Sequence, residues 1–174
     1  MMGTVLSTMG NLLPYHILSY GTLLGTELFQ SFINTKICFH YLPMREFLAL
    51  QKRIFPVYFG CQIGLAVLTA ATHPPYGIIS LVKDVWSVVP LGVVLGMGAV
   101  NYFVYGPKTM TASFVRRAAQ EAEKGSDDSD PARMDRVNRS FSRNHAMSIH
   151  FNAIALVATV FYGFRLSSNL LAGF

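Results

Sequence analysis

Charge is scarce in this chain of 174 residues: 13 % of positions are Asp, Glu, Lys or Arg, where soluble proteins carry about 25 %. That scarcity excludes an ordinary water-facing surface. Acid is scarcer than base, 9 residues against 14, for a net charge of +5. Two cysteines, Cys38 and Cys61, exclude a disulfide framework and a C-x-x-C redox pair; Cys38 lies where palmitoylation would reach it. A phosphate loop, a nucleophile elbow and a His/Cys cluster are all missing, so no enzyme and no cofactor are expected. His145 and His150 are five apart, on different helix faces, which argues against a shared metal. Asp127, Asp128 and Asp130 lack the spacing of a calcium loop. A basic n-region and a cleavage site are lacking too, so the first apolar run is expected to act as its own insertion signal. Gly3 to Ser7 would match a myristoylation pattern only if translation began at Met2.

What is abundant is apolar sequence, 52 % of the chain with 14 glycines. Four runs are long enough to cross a hydrocarbon core about 30 Å thick: 15–35, 54–72, 85–105 and 146–164. One domain with four spans is expected, an all-α four-transmembrane-helix bundle. Charge also predicts its orientation. Twelve Lys/Arg fall in the first and third loops (Lys36, Arg45, Lys52, Arg53, and Lys108 to Arg143), and only Lys83 and Arg165 on the other face. The positive-inside rule then places those loops in the cytosol and both termini in the lumen or exterior. The Asn138 sequon would lie on the unglycosylated side. An endomembrane or plasma membrane fits this bias, with a mitochondrial membrane as the alternative. No nucleic-acid motif accompanies the positive charge.

The loop 106–145 reads as a helical hairpin that prolongs the third and fourth spans. Lys108 to Lys124 is rich in helix formers, with Arg117 and Glu121 one turn apart. Gly125 to Ser129 reads as the tip. Asp130-Pro131 restarts a helix as N-cap and first helical residue. Arg136, Arg139 and Arg143 share one side of it. They are candidate contacts for anionic lipid headgroups, or they pair with Glu121 and Glu123 across the hairpin.

Glu27 is the only acid inside any of the four runs, and a charge at mid-span costs about 2.5–3.5 kcal/mol. On the first helix it shares a stripe with His16, Tyr20, Gln30, Ser31 and Asn34. Gly21 and Gly25, on the opposite side, have the spacing of a close helix contact, as do Gly92 and Gly96 on the third. Tyr58, Gln62 and Thr69 share a face of the second helix, Asn101, Tyr105 and Lys108 of the third, and His145, Ser148, Asn152 and Thr159 of the fourth. Turned inward, these faces form either a hydrated permeation path around Glu27 or interhelical polar glue, with Glu27 bonded to Gln62 or Asn152. A Glu27 lying dry against one amide would favour glue. Aromatics near span ends, Tyr15, Phe55, Tyr58, Trp86 and Tyr162 among them, read as an interfacial belt.

Leu42-Pro43, Phe47, Gln51 and Phe55-Pro56-Val57-Tyr58-Phe59, followed by Asn101, Pro107-Lys108-Thr109, Phe141, Arg143, His145, Ser148 and Asn152, form an ordered set from about His16 to Tyr162. In these the chain resembles the eukaryotic transmembrane-protein-205-like family, four-span proteins with a domain of unknown function. The resemblance implies a multi-pass membrane protein and brings no reaction or catalytic residue. It also implies that an uncharged amide can replace Glu27. Two functions are therefore expected as alternatives. One is a transport- or permeation-related protein with a polar interior, thin as a monomer and so expected to assemble with copies of itself or another membrane protein. The other is a non-catalytic scaffold or lipid-associated accessory protein acting through the basic hairpin.

Overall fold

The computed structural model describes residues 10–124 and 130–173, and every element among them is helical. The myristoylation pattern at Gly3 to Ser7 and the tip with Asp127 and Asp128 lie outside the described residues.

The first helical run starts at Asn11, whose side chain accepts from Leu13 N at 2.9 Å. It comprises α1 (Leu12–Leu28), a π-helical segment (Phe29–Asn34) and α2 (Thr35–Tyr41). Leu42 and Pro43 are extended and end it, because a residue before proline is driven out of the helical region. α3 (Met44–Ala71) follows at once. The second helix therefore begins ten residues before the expected 54, and the first loop shrinks to a turn. Gly77 (φ 64°) closes the next turn, where a Cβ would stand 2.6 Å from the Ala71 carbonyl oxygen. After the one-turn α4 (Ile78–Leu81) comes α5 (Val85–Val100), capped by Asp84, which accepts from Trp86 N. It continues through a second π segment (Asn101–Tyr105) into α6 (Gly106–Lys124). α7 (Pro131–Ala172) is capped by Asp130, which accepts from Arg133 N at 3.1 Å.

Each long helix packs on the next, and α7 closes back on α1, while α6 and α7 run on together as the hairpin. Among the described residues three helices are long and apolar enough to cross a membrane: Met44–Ala71, Val85–Lys124 and Pro131–Ala172. The first run, diluted by its polar stripe, is not among them.

The surface is inverted relative to a water-soluble fold. Val57, Phe103, Val157 and Phe164 point outward, each more than 60 % exposed, while His16, Glu27, Gln51, Gln62, Asn101 and Thr159 are buried. The close helix approaches are not where glycine spacing places them. Gly21, Gly25, Gly92 and Gly96 have open space beside them; a Cβ at Gly98 would instead stand 3.1 Å from Gln62 Oε1, and one at Gly163 would fall on the Tyr20 hydroxyl. The paired glycines lie on outward faces, because the polar stripes take the inward ones.

The second π segment moves another residue. Straight-helix periodicity aligns Lys108 with Asn101. Pro107 has no N–H to give the Phe103 carbonyl, and the Gly106 N–H bonds Asn101 O five residues back. The extra residue in that turn brings Thr109 inward and leaves Lys108 exposed, its Nζ 5.8 Å from the Tyr105 ring centre.

Candidate functional site

Three polar clusters sit inside the bundle. At the end away from the hairpin, His16 is completely buried between α3 and α7. Its Nδ1 faces the Thr69 carbonyl at 2.9 Å, so this nitrogen carries the proton; Nε2 of the neutral ring then accepts from the Tyr162 hydroxyl at 2.7 Å. Ser19, Thr69 and Thr72 complete the cluster. Tyr162 is thus an interior hydrogen-bonding residue and not part of an interfacial belt; Tyr58, also buried, departs from the belt in the same way. Tyr20 packs tilted on Tyr162.

His73, just outside this cluster, meets the His16 ring edge-on at 5.5 Å. Burial holds the His73 imidazole below its ordinary 6.5; the Pro74 carbonyl and Asp84 pull the other way, and Arg165 adds to the lowering. Beside it Asp84 accepts from Ser87 (2.7 Å), Arg165 (3.1 Å) and Asn169 (3.3 Å). Partial burial works against its charge, but these bonds outweigh it and hold the carboxyl down at about 2. Composition assigned no role to this latch; the signal for it was a capping Asp opposite the one Arg beyond the fourth apolar run.

The middle cluster holds Glu27. Its Oε1 accepts from Gln62 Nε2 at 2.7 Å, and Gln62 in turn lies against Gly98. Among the described residues Glu27 Oε2 has no partner in comparable geometry, though the Thr159 hydroxyl stands beside the carboxylate. Asn152 does not reach Glu27. It accepts from the Tyr58 hydroxyl (2.7 Å) and donates to Ser31 (2.8 Å).

The third cluster borders open space. An inner cavity of about 350 Å³ reaches Ser31, Tyr58 and Asn152, and an outer one of about 660 Å³ extends to Lys36, Gln51, Arg116 and Arg117 at the hairpin base. They adjoin through shared wall residues, Ser31, Thr35, Phe55, Thr109, Met110 and His145. The first π segment gives Gln30, Ser31 and Phe32 to the walls, and the second borders them only through the residue after it. Gln30 belongs to the first, where it accepts from Asn34 and donates to Thr35, the residue that follows the segment. Gly106 directly follows the second, in which Asn101 donates to the Ser148 carbonyl at 3.1 Å. Of the residues singled out by sequence, Gln30, His145 and Asn152 border the inner cavity; His16, Tyr20, Glu27, Gln62 and Asn101 do not.

Gln51 was passed over as a site residue. It lies seven before Tyr58 on the Tyr58–Gln62–Thr69 stripe, but neighbouring Arg45, Lys52 and Arg53 make that stretch read as loop. Arg136, Arg139 and Arg143 are exposed, and among the described residues none of them pairs with an acid across the hairpin. Glu121 pairs with Arg117 on its own helix (2.7 Å), while Arg136 and Arg139 lie 4.0 and 3.6 Å from Asp130 and Asp135. Arg116 lies over the Phe141 ring. Among the described residues no three His, Cys, Asp or Glu side chains are grouped to hold a metal.

An all-helical bundle with apolar outer faces, a polar interior and a cavity at one end is the class of protein these features define. The chain belongs to the DUF4149 family, a domain of unknown function, which matches residues 18–118. It is also similar over almost its whole length to Xanthocillin biosynthesis cluster protein D of Aspergillus fumigatus: 58 % identical over 172 residues, 99 % of each chain. The family match does not single out the transmembrane-protein-205-like group. No solved structure matches the chain.

Proposed function

We propose that this is a non-catalytic, multi-pass membrane protein whose adjoining cavities take up a small amphiphilic molecule at the membrane surface, a transport-related role. The pair of cavities carries this reading. They run from the basic hairpin base to mid-bundle polar groups, and Phe32, Phe55, Phe59 and Leu156 line the inner one. A ligand site of this kind is concave, mostly apolar and provided with a few polar groups.

Four helices cross the bilayer in this reading. The first run is helical from Leu12 to Tyr41, about 45 Å at 1.5 Å per residue. It shows Ile17, Leu18, Phe29 and Phe32 outward while its stripe is sheltered. Four spans put both termini on one side, and the positive charge puts the hairpin in the cytosol. The narrower resemblance to transmembrane-protein-205-like proteins belongs to the same proposal and implies the same spans. That the Aspergillus relative is named for a biosynthesis cluster supports a small-molecule cargo over an ion. Glu27, bonded to a single amide behind the cavity wall, serves as glue in this reading and not as a proton path.

The test is photolabelling in nanodiscs with a diazirine-bearing hexadecanol. Saturable labelling of Tyr58, Phe59 or Leu156, which line the inner cavity, lost in Ser148→Phe, is the expected result. Labelling confined to outward residues such as Phe103 and Val157 would overturn the cavity reading.

A second reading rests on the three exposed arginines 136, 139 and 143: a scaffold held to anionic lipid. Replacing all three with Gln would then abolish preferential co-reconstitution with phosphatidylserine, and an unchanged preference would reject it.

A further inference from the structure

We infer that the outer cavity is an oxyanion site, and that its ligand is an anionic amphiphile with a carboxylate or phosphate head at the hairpin base and an apolar body in the inner chamber. This rests on the cavity reading above and names its ligand class.

The observation behind it is a concentration of unsatisfied donors. Gln51 is 1 % exposed and lines the outer cavity, yet among the described residues neither Nε2 nor Oε1 of its amide has a hydrogen-bond partner. Thr109, also buried, lines both chambers with an unpartnered hydroxyl. Arg116 Nε and Arg117 Nη1, on the same wall, are shielded and unpartnered too. Leaving such groups unpaired is destabilising, and more so where they are charged. Four of them around one cavity mark a place where a ligand supplies the acceptors.

The sign of the ligand follows from the wall. Lys36, Arg116 and Arg117 line the outer cavity, and among the described residues no Asp or Glu does. Arg117 is paired through Nε with Glu121. Arg116 instead stacks on Phe141, 4.9 Å from its ring centre, which leaves the guanidinium edge for a hydrogen-bonded oxyanion. Guanidinium, amide and hydroxyl donors carried by the residues of one wall suit two or three oxygens of a single head. Phe39, Phe47 and Phe55 beside them suit the start of an apolar body, whose remainder passes Thr109 into the inner chamber. A free inorganic anion would leave that chamber unused.

The experiment uses the full chain in phosphatidylcholine nanodiscs and a diazirine-bearing hexadecanoic acid, with its methyl ester as the neutral counterpart. The acid should label the inner chamber saturably and be displaced by palmitate, while the ester labels at least about tenfold more weakly. Arg116→Gln and Gln51→Leu should each weaken the acid about tenfold, and Arg136→Gln, outside the outer cavity, should not. Arg116→Gln lies on a partly open wall, so it keeps the test decisive if Gln51→Leu fails to fold. Phosphatidic acid added to the disc identifies the source: competition points to a lipid headgroup, and its failure beside effective palmitate points to a soluble amphiphile. Either result retains the oxyanion site. Equal labelling by acid and ester, both lost in Ser148→Phe, would overturn the anion selectivity and leave the cavity standing. Absence of chamber labelling by either probe would overturn both.

Discussion

Glu27 and Gln62 show what a single buried hydrogen bond demands. Glu27→Gln keeps an oxygen that accepts from Gln62, so its thermal unfolding in detergent should stay near wild type. Glu27→Leu leaves the Gln62 amide without its partner and should cost about 1–3 kcal/mol, read as an earlier midpoint. Equal loss in both variants would mean that the charge itself matters. Gly163→Ala poses a different problem, because its Cβ would fall on the Tyr20 hydroxyl. Overpacking at such a site costs about 1–3 kcal/mol, and Tyr20→Phe, which removes the obstructing oxygen, should restore most of the loss in the double variant. Sequence alone found Glu27 and offered Gln62 or Asn152 as partner. Choosing between them needed the helix rotations, since both lie on inward stripes.

At the scale of elements, the π segments decide the register. Straight-helix arithmetic serves α1 and α3 well: His16, Glu27, Tyr58, Gln62 and Thr69 are all buried. It fails across residues 101–105, where one additional residue in the turn exchanges Lys108 for Thr109. The cause, Pro107, is plain in the sequence, but proline more often kinks a helix than widens one turn, so composition could not choose. Gly106→Ala should destabilise the hairpin base, because a Cβ there would meet the Asn101 carbonyl oxygen at 2.6 Å. A carbonyl bound within the turn cannot easily yield, and about 1–3 kcal/mol is expected. Hydrogen exchange of residues 101–110 should quicken in that variant; unchanged protection would show that the turn tolerates the methyl group.

For the whole molecule, the end away from the hairpin is fastened by groups with known titration signs. His73 has its affinity for protons lowered by burial, so its contribution to stability is complete above 6.5 and is lost as pH falls below that value. Asp84, held at about 2 against an ordinary 3.8, contributes fully above 3.8 and loses its contribution as pH falls toward 2. Thermal midpoints should therefore be level from pH 8 to 7, decline below about 6.5, and fall again in the acid range. His73→Gln should make the first decline shallower and leave the second. Topology is tested on the same scale: cysteines placed beside each terminus should react with an impermeant maleimide from the same face of a sealed vesicle, and opposite faces would reject four spans.

Composition and periodicity suffice to show that the chain is helical, that its helices are too apolar for water, and that polar residues gather on inward faces, because these depend on local spacing and transfer energies. Which polar groups meet, and where space is left between them, depends on rotations, a widened turn and glycine contacts that no single helix contains. Tertiary structure therefore bonded Glu27 to Gln62, used Tyr162 to hold His16, and turned Gln51, Thr109 and Arg116 toward one cavity. Their unmet hydrogen-bonding capacity arises only when the helices pack around it.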